Sequence, residues 1–272
     1  MQPLSVSSAT PCASARVDRA LRGMSRQISR LDIDWHDVPS LARDEVEAFI
    51  RRRFSDAYDA RISRFLPCLI SLSDADGPCG AVGLRPAGES RLFLEQYLDQ
   101  PVEQAVAGMA CGPVARDSIV EIGNLGSRDA GASLLLFLTL GSVLEAAGCR
   151  WMVFSATGQV ATMVEKVGLP TRTLASADPV RLTGSVDDWG SYYESAPRVM
   201  AGDVQAAFAA LSLQPALAGP GWRLRRGACR PWHLARWHRA RTHRLRRESA
   251  QRGHCALEMS VAKARPAPVV VA

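Results

Sequence analysis

Val120-Glu-Ile-Gly-Asn-Leu-Gly126, followed by Arg128-Asp-Ala-Gly-Ala-Ser133, decides how this chain is read. An apolar run breaks at glycine and gives way to a helix-forming stretch, so a strand turns directly into a helix. Gly131 and Ala132 are small enough for backbone N–H groups to approach an anion. The helix that follows, about Ala132 to Ala147, aims the positive end of its dipole at the same spot. The junction therefore predicts an anion site from Gly126 to Ser133, within a ligand site of Asn124, Leu125, Gly126, Arg128, Gly131, Ala132 and Ser133.

Downstream, Leu134, Leu135, Phe137, Leu138, Leu140, Val143 and Leu144 give that helix a broad apolar surface suited to burial against a sheet, and Gly148 ends it. Arg150-Trp-Met-Val-Phe-Ser155 is a nearly continuous apolar strand, and Gly158 to Val167 forms a second helix closing on Glu165-Lys-Val-Gly-Leu169. Strand, helix, strand and helix with connections this short predict parallel strands and a right-handed crossover.

Upstream, Leu31-Asp-Ile-Asp-Trp35 alternates like a strand, and Asp44 is placed to cap a helix that carries Val46, Phe49, Ile50 and Phe54 on one face. Arg61 to Leu72 and Cys79 to Arg85 are expected strands around the turn Asp74-Ala-Asp-Gly77. Leu92 to Ala107 reads as helical with an interruption at Pro101, and short strands are expected near Thr171 to Leu174 and Val180 to Thr183. The expected class is α/β, a mixed twisted sheet with a parallel centre and helices on both faces.

With 272 residues the chain can hold one sizeable core with appendages. Residues 219–272 carry 13 Lys+Arg against 2 Asp+Glu, so the formal charge of +6 divides into −5 for the rest and +11 for this tail. The basic balance belongs to the tail and does not argue that the folded part binds nucleic acid. The tail has no helical or alternating order and is expected to be disordered or an out-of-frame segment. Residues 1–30 contain arginines but no hydrophobic core of a signal peptide, and they read as a disordered extension or as sequence ahead of a true start at Met24. The expected organisation is thus 1–30 extension, 31–217 folded domain and 218–272 basic tail. Seven cysteines without metal spacing suggest reduced thiols and a cytoplasmic protein, with no metal and no membrane span.

The spacing Arg128-x-x-Gly131-x-Ser133 resembles the loop with which GNAT-superfamily acyltransferases hold the pyrophosphate of acyl-CoA, with Ser133 in place of the usual Gly or Ala. Ala161-Thr-Met-Val-Glu-Lys-Val-Gly-Leu169 is similar to a second GNAT segment, with Leu169 where phenylalanine is usual. A denser resemblance covers about residues 40 to 205. Ser63-Arg-Phe-Leu-Pro67, Leu92-Phe-Leu-Glu-Gln-Tyr-Leu-Asp99, Val120 to Leu125, Trp151 to Thr157 and Trp189-Gly-x-Tyr-Tyr193 resemble the thermostable hemolysins of Gram-negative bacteria.

The resemblance implies a GNAT-like fold and an N-acyltransferase that takes a coenzyme A thioester or an acyl carrier thioester to a small amine acceptor. An acyl carrier protein would then be a partner. The family name supports another reading, a membrane-damaging hemolysin, and a third is a non-catalytic ligand-binding module. For acyl transfer, Glu121 is the candidate general base, because a carboxylate among Val120, Ile122 and Leu125 would be desolvated and raised in pKa. Glu95 and Tyr97 are further catalytic candidates, and Asn124 is either a turn former or a group that fixes the acyl amide. Tyr192 and Tyr193 either pack beside Trp189 or supply a general acid.

Overall fold

Strand and turn chemistry sets one half of the sheet. Strands β2 (Cys68–Asp74) and β3 (Gly77–Pro86) pair as an antiparallel hairpin across the predicted turn. The residues before Cys68 do not join the ladder, so β2 is shorter than expected. Strand β1 (Asp32–Asp37) pairs on the outer edge of β2. Next comes helix α1 (Leu41–Tyr58), whose first turn contains Asp44. Asp44 therefore lies inside the helix instead of capping it. The computed structural model describes residues 31–37, 41–110, 112–166 and 169–212. The expected extension at 1–30 and the tail from 218 onward lie outside these residues.

Strand β4 (Ile119–Ser127) does not break at Gly123 or Gly126 but runs through both, and helix α3 starts at Ala130. Between β3 and β4 lie a 3-10 turn (Phe93–Tyr97) and the short helix α2 (Val102–Ala107). Pro101 is the N-cap of α2, so the interruption expected there is a helix start. Helix α3 (Ala130–Ala146) then leads to strand β5 (Trp151–Ala156), which pairs parallel with β4. Helix α4 (Gly158–Lys166) follows, and strand β6 (Thr171–Ser176) forms as expected. The strand expected at Val180 to Thr183 is instead a 3-10 turn, Pro179–Arg181, with proline after an Asp178 cap. The seventh strand is β7 (Arg198–Asp203), followed by helix α5 (Val204–Ser212).

The sheet order is β1-β2-β3-β4-β5-β7-β6, with β4–β5 as its parallel pair and antiparallel ladders on both sides. This is the mixed α/β sheet with a parallel centre. Helices cover both faces. On one face α1 buries Val46, Phe49 and Ile50 over Leu69 and Ala81, and the Phe93–Tyr97 turn and α2 pack over Ile119, Trp151, Val153, Val199 and Ala201. On the other, Leu136 of α3 lies over Gly80, where any side chain would collide with it. Leu135, Leu136, Phe137, Leu140, Val143 and Leu144 are all buried, because α3 is covered by the sheet on one flank and by α5 on the other. Cys68, Cys79 and Cys149 are buried thiols within this core.

Candidate functional site

The parallel pair comes apart halfway. Residues Ile119 to Ile122 pair with Trp151 to Phe154, and there the β4–β5 ladder stops, although both strands continue. Gly123, Gly126 and Ser127 go on pairing with β3, while Ser155 and Ala156 go on pairing with β7. A bulge in β4 marks the split. Gly83 is opposite Gly123 and Ala81 opposite Gly126, so Asn124 and Leu125 together face Val82. Asn124 supplies the left-handed conformation the bulge needs, with φ 49°. Its amide oxygen accepts a hydrogen bond from the Leu66 N–H at 2.8 Å, and its amide nitrogen donates to the Arg64 carbonyl at 3.2 Å.

The Arg64–Leu66 segment is held from the other side by Arg43, which is buried and donates to the carbonyls of His36, Leu66 and Pro67. Leu66 is seated over Gly83 and Gly123, and a Cβ at those positions would come within 2.9 and 3.0 Å of it. Asn124→Ala is accordingly expected to lower stability by about 2 kcal/mol, from the positive φ and the orphaned Leu66 amide. Asn124→Gly should cost less, since it keeps the backbone and loses only the clamp. Urea unfolding of the two variants checks the order.

A cavity of about 420 Å³ opens at the split and reaches both faces of the sheet. One part is apolar, with Ile122, Leu125, Phe137, Phe154 and Val160. The other carries Glu121, Arg85, Tyr97 and Tyr193 below an aromatic wall of Phe93 and Trp189. Rings in that wall touch in series, Phe93 to Trp189 at 5.7 Å and Trp189 to Tyr192 at 5.3 Å between centroids. The packing of Tyr192 and Tyr193 beside Trp189 is as expected.

A strap through residues 179–191 roofs this part. Arg181 pins one end to the carbonyls of Tyr97 and Leu98. The other end is pinned by the Asp188 carbonyl, which accepts from Arg61 N–H at 2.7 Å, and by Ser191 N–H, which donates to the Tyr58 carbonyl at 2.8 Å. Gly190 between them has φ 51° and touches the Tyr58 carbonyl so closely that no side chain fits.

Glu121 is 3 % exposed and lines the cavity. Its oxygens accept from the N–H groups of Leu94 at 2.8 Å and Phe93 at 3.1 Å, and Arg85 lies 3.6 Å away. Burial pushes its carboxyl above the usual range, against the opposing pull of those amides and of Arg85. One lone pair on each oxygen is left for a ligand. The Tyr97 hydroxyl is 2.6 Å from that of Tyr193, and burial raises the pKa of both phenols, which keeps them neutral donors.

Glu95 has a different place. It accepts from the N–H groups of Leu92 and Val102 and forms a two-pronged ion pair with Arg116 at 2.6 and 2.7 Å. Despite the opposing effect of burial, the Arg116 guanidinium and the two backbone donors lower its pKa to about 2. It does not line the cavity. A carboxylate that holds protons so weakly and is fully engaged is a structural tie and a poor base.

The predicted anion loop is also redrawn. Asn124 and Leu125 line the cavity, whereas Gly126, Arg128, Gly131, Ala132 and Ser133 do not. Gly126 makes room for Arg53 of α1, and Arg128 is ion-paired to Asp74 of the hairpin. Asp129 caps α3, its side chain accepting from the Ala132 N–H at 2.9 Å. A carboxylate already sits where the helix N-terminus would receive a phosphate, and the two charges repel. Arg85 and the Trp189 wall are the site residues that sequence reasoning missed. The signal for Arg85 was a lone cation ending an apolar strand, Ala81-Val-Gly-Leu-Arg85.

Residues 37–208 match the family described as thermostable hemolysin. No curated protein matches. Among solved structures, the chain is similar to TofI in an apo form, at 17% identity over 68% of this chain and 99% of that chain with a TM-score of 0.45. It is similar to the acyl-homoserine lactone synthase LasI at 9% identity over 65% and 93% of the two chains, with a TM-score of 0.45. FeeM, an N-acyl amino acid synthase from uncultured soil microbes, matches at 14% identity over 70% and 96%, again with a TM-score of 0.45.

Proposed function

The chain belongs to the thermostable hemolysin family, and from the cavity it encloses we propose that it transfers an acyl group from a thioester to the nitrogen of a small amine. The observation that carries this is the parting of β4 and β5. It joins an apolar trough to a buried carboxylate across a strand edge with no partner strand, among the described residues. The exposed edge at Gly123–Leu125 suits the amide groups of a pantetheine arm, and the trough at Phe137, Phe154 and Val160 suits an acyl chain.

Amine attack on the thioester carbon needs the loss of one proton from nitrogen. Burial raises the Glu121 pKa, the direction that strengthens a carboxylate as a base. As the C–S bond breaks, the departing thiolate takes up a proton, and the Tyr97–Tyr193 hydroxyl pair can relay it. The donor is a coenzyme A or acyl carrier thioester. The Asp129 cap on the α3 terminus argues against the loop from Gly126 to Ser133 as the seat of its phosphates.

Among the described residues, no helix is long and apolar enough to cross a membrane. The purified chain should therefore be incubated with acyl-CoAs of graded length and a panel of amines, and free thiol and N-acyl product measured together. Matched thiol and amide release supports the proposal. Erythrocyte lysis without either product, from the same preparation, sinks it in favour of a membrane-acting protein.

A further inference from the structure

Arg85 lines the cavity, and acyl transfer leaves its chemistry unused. It lies directly across the β3–β4 ladder from Glu121, so the two side chains share one face. Its side chain is 24% exposed, and it lines the cavity. Its nearest carboxylate oxygen is on Glu121 at 3.6 Å, beyond a hydrogen bond. Among the described residues no acceptor takes a hydrogen bond from its guanidinium. Arg43 and Arg116, by contrast, each have several acceptors within 3.3 Å. Glu121 cannot turn to satisfy it, because the amides of Phe93 and Leu94 hold both oxygens.

A guanidinium is a planar fork that favours a two-oxygen acceptor, and inside a half-enclosed cavity such a pair is strengthened. A cation and an anion side by side, each with free hydrogen-bonding capacity, present the reverse image of a molecule that carries an amine and a carboxylate on the same carbon. Next to them stand the rings of Phe93, Trp189 and Tyr193, which suit a large apolar substituent.

We infer that the acceptor is a free α-amino acid with a large apolar side chain, its carboxylate held by Arg85 and its amino group by Glu121. This rests on the acyl-transfer reading. The ammonium gives one proton to Glu121, the nitrogen attacks the thioester carbon, the C–S bond breaks, and the thiolate takes the second proton. The products are an N-acyl amino acid and a free thiol, and the carboxylate stays on Arg85 throughout.

The test uses the full chain with L-phenylalanine, L-phenylalaninamide and phenethylamine, each in calorimetric binding and in acylation with an acyl-CoA. Phenylalanine should bind about 10- to 100-fold more tightly than the other two. Arg85→Met should remove that preference by weakening phenylalanine alone. Arg85→Lys should fall between, since it keeps the charge and loses the fork. Equal use of phenethylamine and phenylalanine, or unchanged phenylalanine affinity in Arg85→Met, overturns the inference. So does a loss of acyl-CoA affinity with phenylalanine binding intact, which would assign Arg85 to a donor phosphate. Arg85-dependent binding of phenylalanine without acylation of any amine keeps the amino-acid site at Arg85 and overturns both acyl transfer and the acceptor role. Acylation indifferent to the carboxylate keeps acyl transfer and overturns the inference.

Discussion

Glu121→Gln is expected to lower turnover by about 10²–10⁴-fold while acyl-donor affinity changes little, the range for loss of a general base. The amide keeps the shape of the carboxylate and one acceptor for the Leu94 or Phe93 N–H, so the fold should persist. Burial raises the Glu121 pKa, hence the wild-type rate should climb as pH rises through that raised value, and the Gln variant should lack the climb. Removing the Arg85 charge takes away an influence that lowers this pKa, so in Arg85→Met the climb should move to higher pH. Linkage has the opposite sign for stability: a carboxyl with a raised folded-state pKa contributes stability below the usual carboxylate range and loses it as pH rises through the folded value. Steady-state thiol release across pH reads the rate, and an unchanged turnover in Glu121→Gln would assign the proton to water.

Glu95→Ala is expected to cost about 3–5 kcal/mol, the range for breaking a buried ion pair from one side. Glu95 is 7 % exposed and joins three pieces of chain: the Phe93–Tyr97 turn through Leu92, the start of α2 through Val102, and the segment before β4 through Arg116. Arg116 would keep Glu103 at 2.7 Å but lose its best partner, and two buried amides would lose their acceptor. Because the Glu95 pKa is lowered, its contribution is fully present above the usual carboxylate range and is lost as pH falls towards about 2. Urea unfolding at neutral and acidic pH should show a wild-type loss on acidification that the Ala variant largely lacks. A difference below about 1 kcal/mol at neutral pH would show that the tie is dispensable.

Glu95 and Glu121 were alike to the eye in sequence, each in a string of apolar and aromatic residues. Their difference comes from what the fold places opposite them. Glu95 meets Arg116, 21 positions away, and is fully engaged. Glu121 meets two backbone amides, a guanidinium 3.6 Å away and an open cavity. The reading of Gly123 and Gly126 failed for a related reason. A glycine after a strand signals a turn, but it equally signals close approach by another element. Leu66 and Arg53, each more than 50 positions upstream, occupy the space.

What the sequence by itself determined is what short-range physics controls. Period-two and period-3.6 patterns, the Asp74–Gly77 turn, and the short links around α3 were enough for the β2–β3 hairpin, the parallel β4–β5 pair and the α/β class. Side-chain alternation and helical spacing are local, so neighbours along the chain suffice to set them. The tertiary structure alone decided that β7 enters between β5 and β6, that β4 and β5 separate after Ile122 and Phe154, and that Arg85 faces Glu121. It also brought Tyr97 to Tyr193 across 96 positions. These are pairings between distant segments, chosen by which faces must be buried together. No local pattern records them, because the partner that gives each residue its charge, shape or solvent exposure is supplied from elsewhere in the chain.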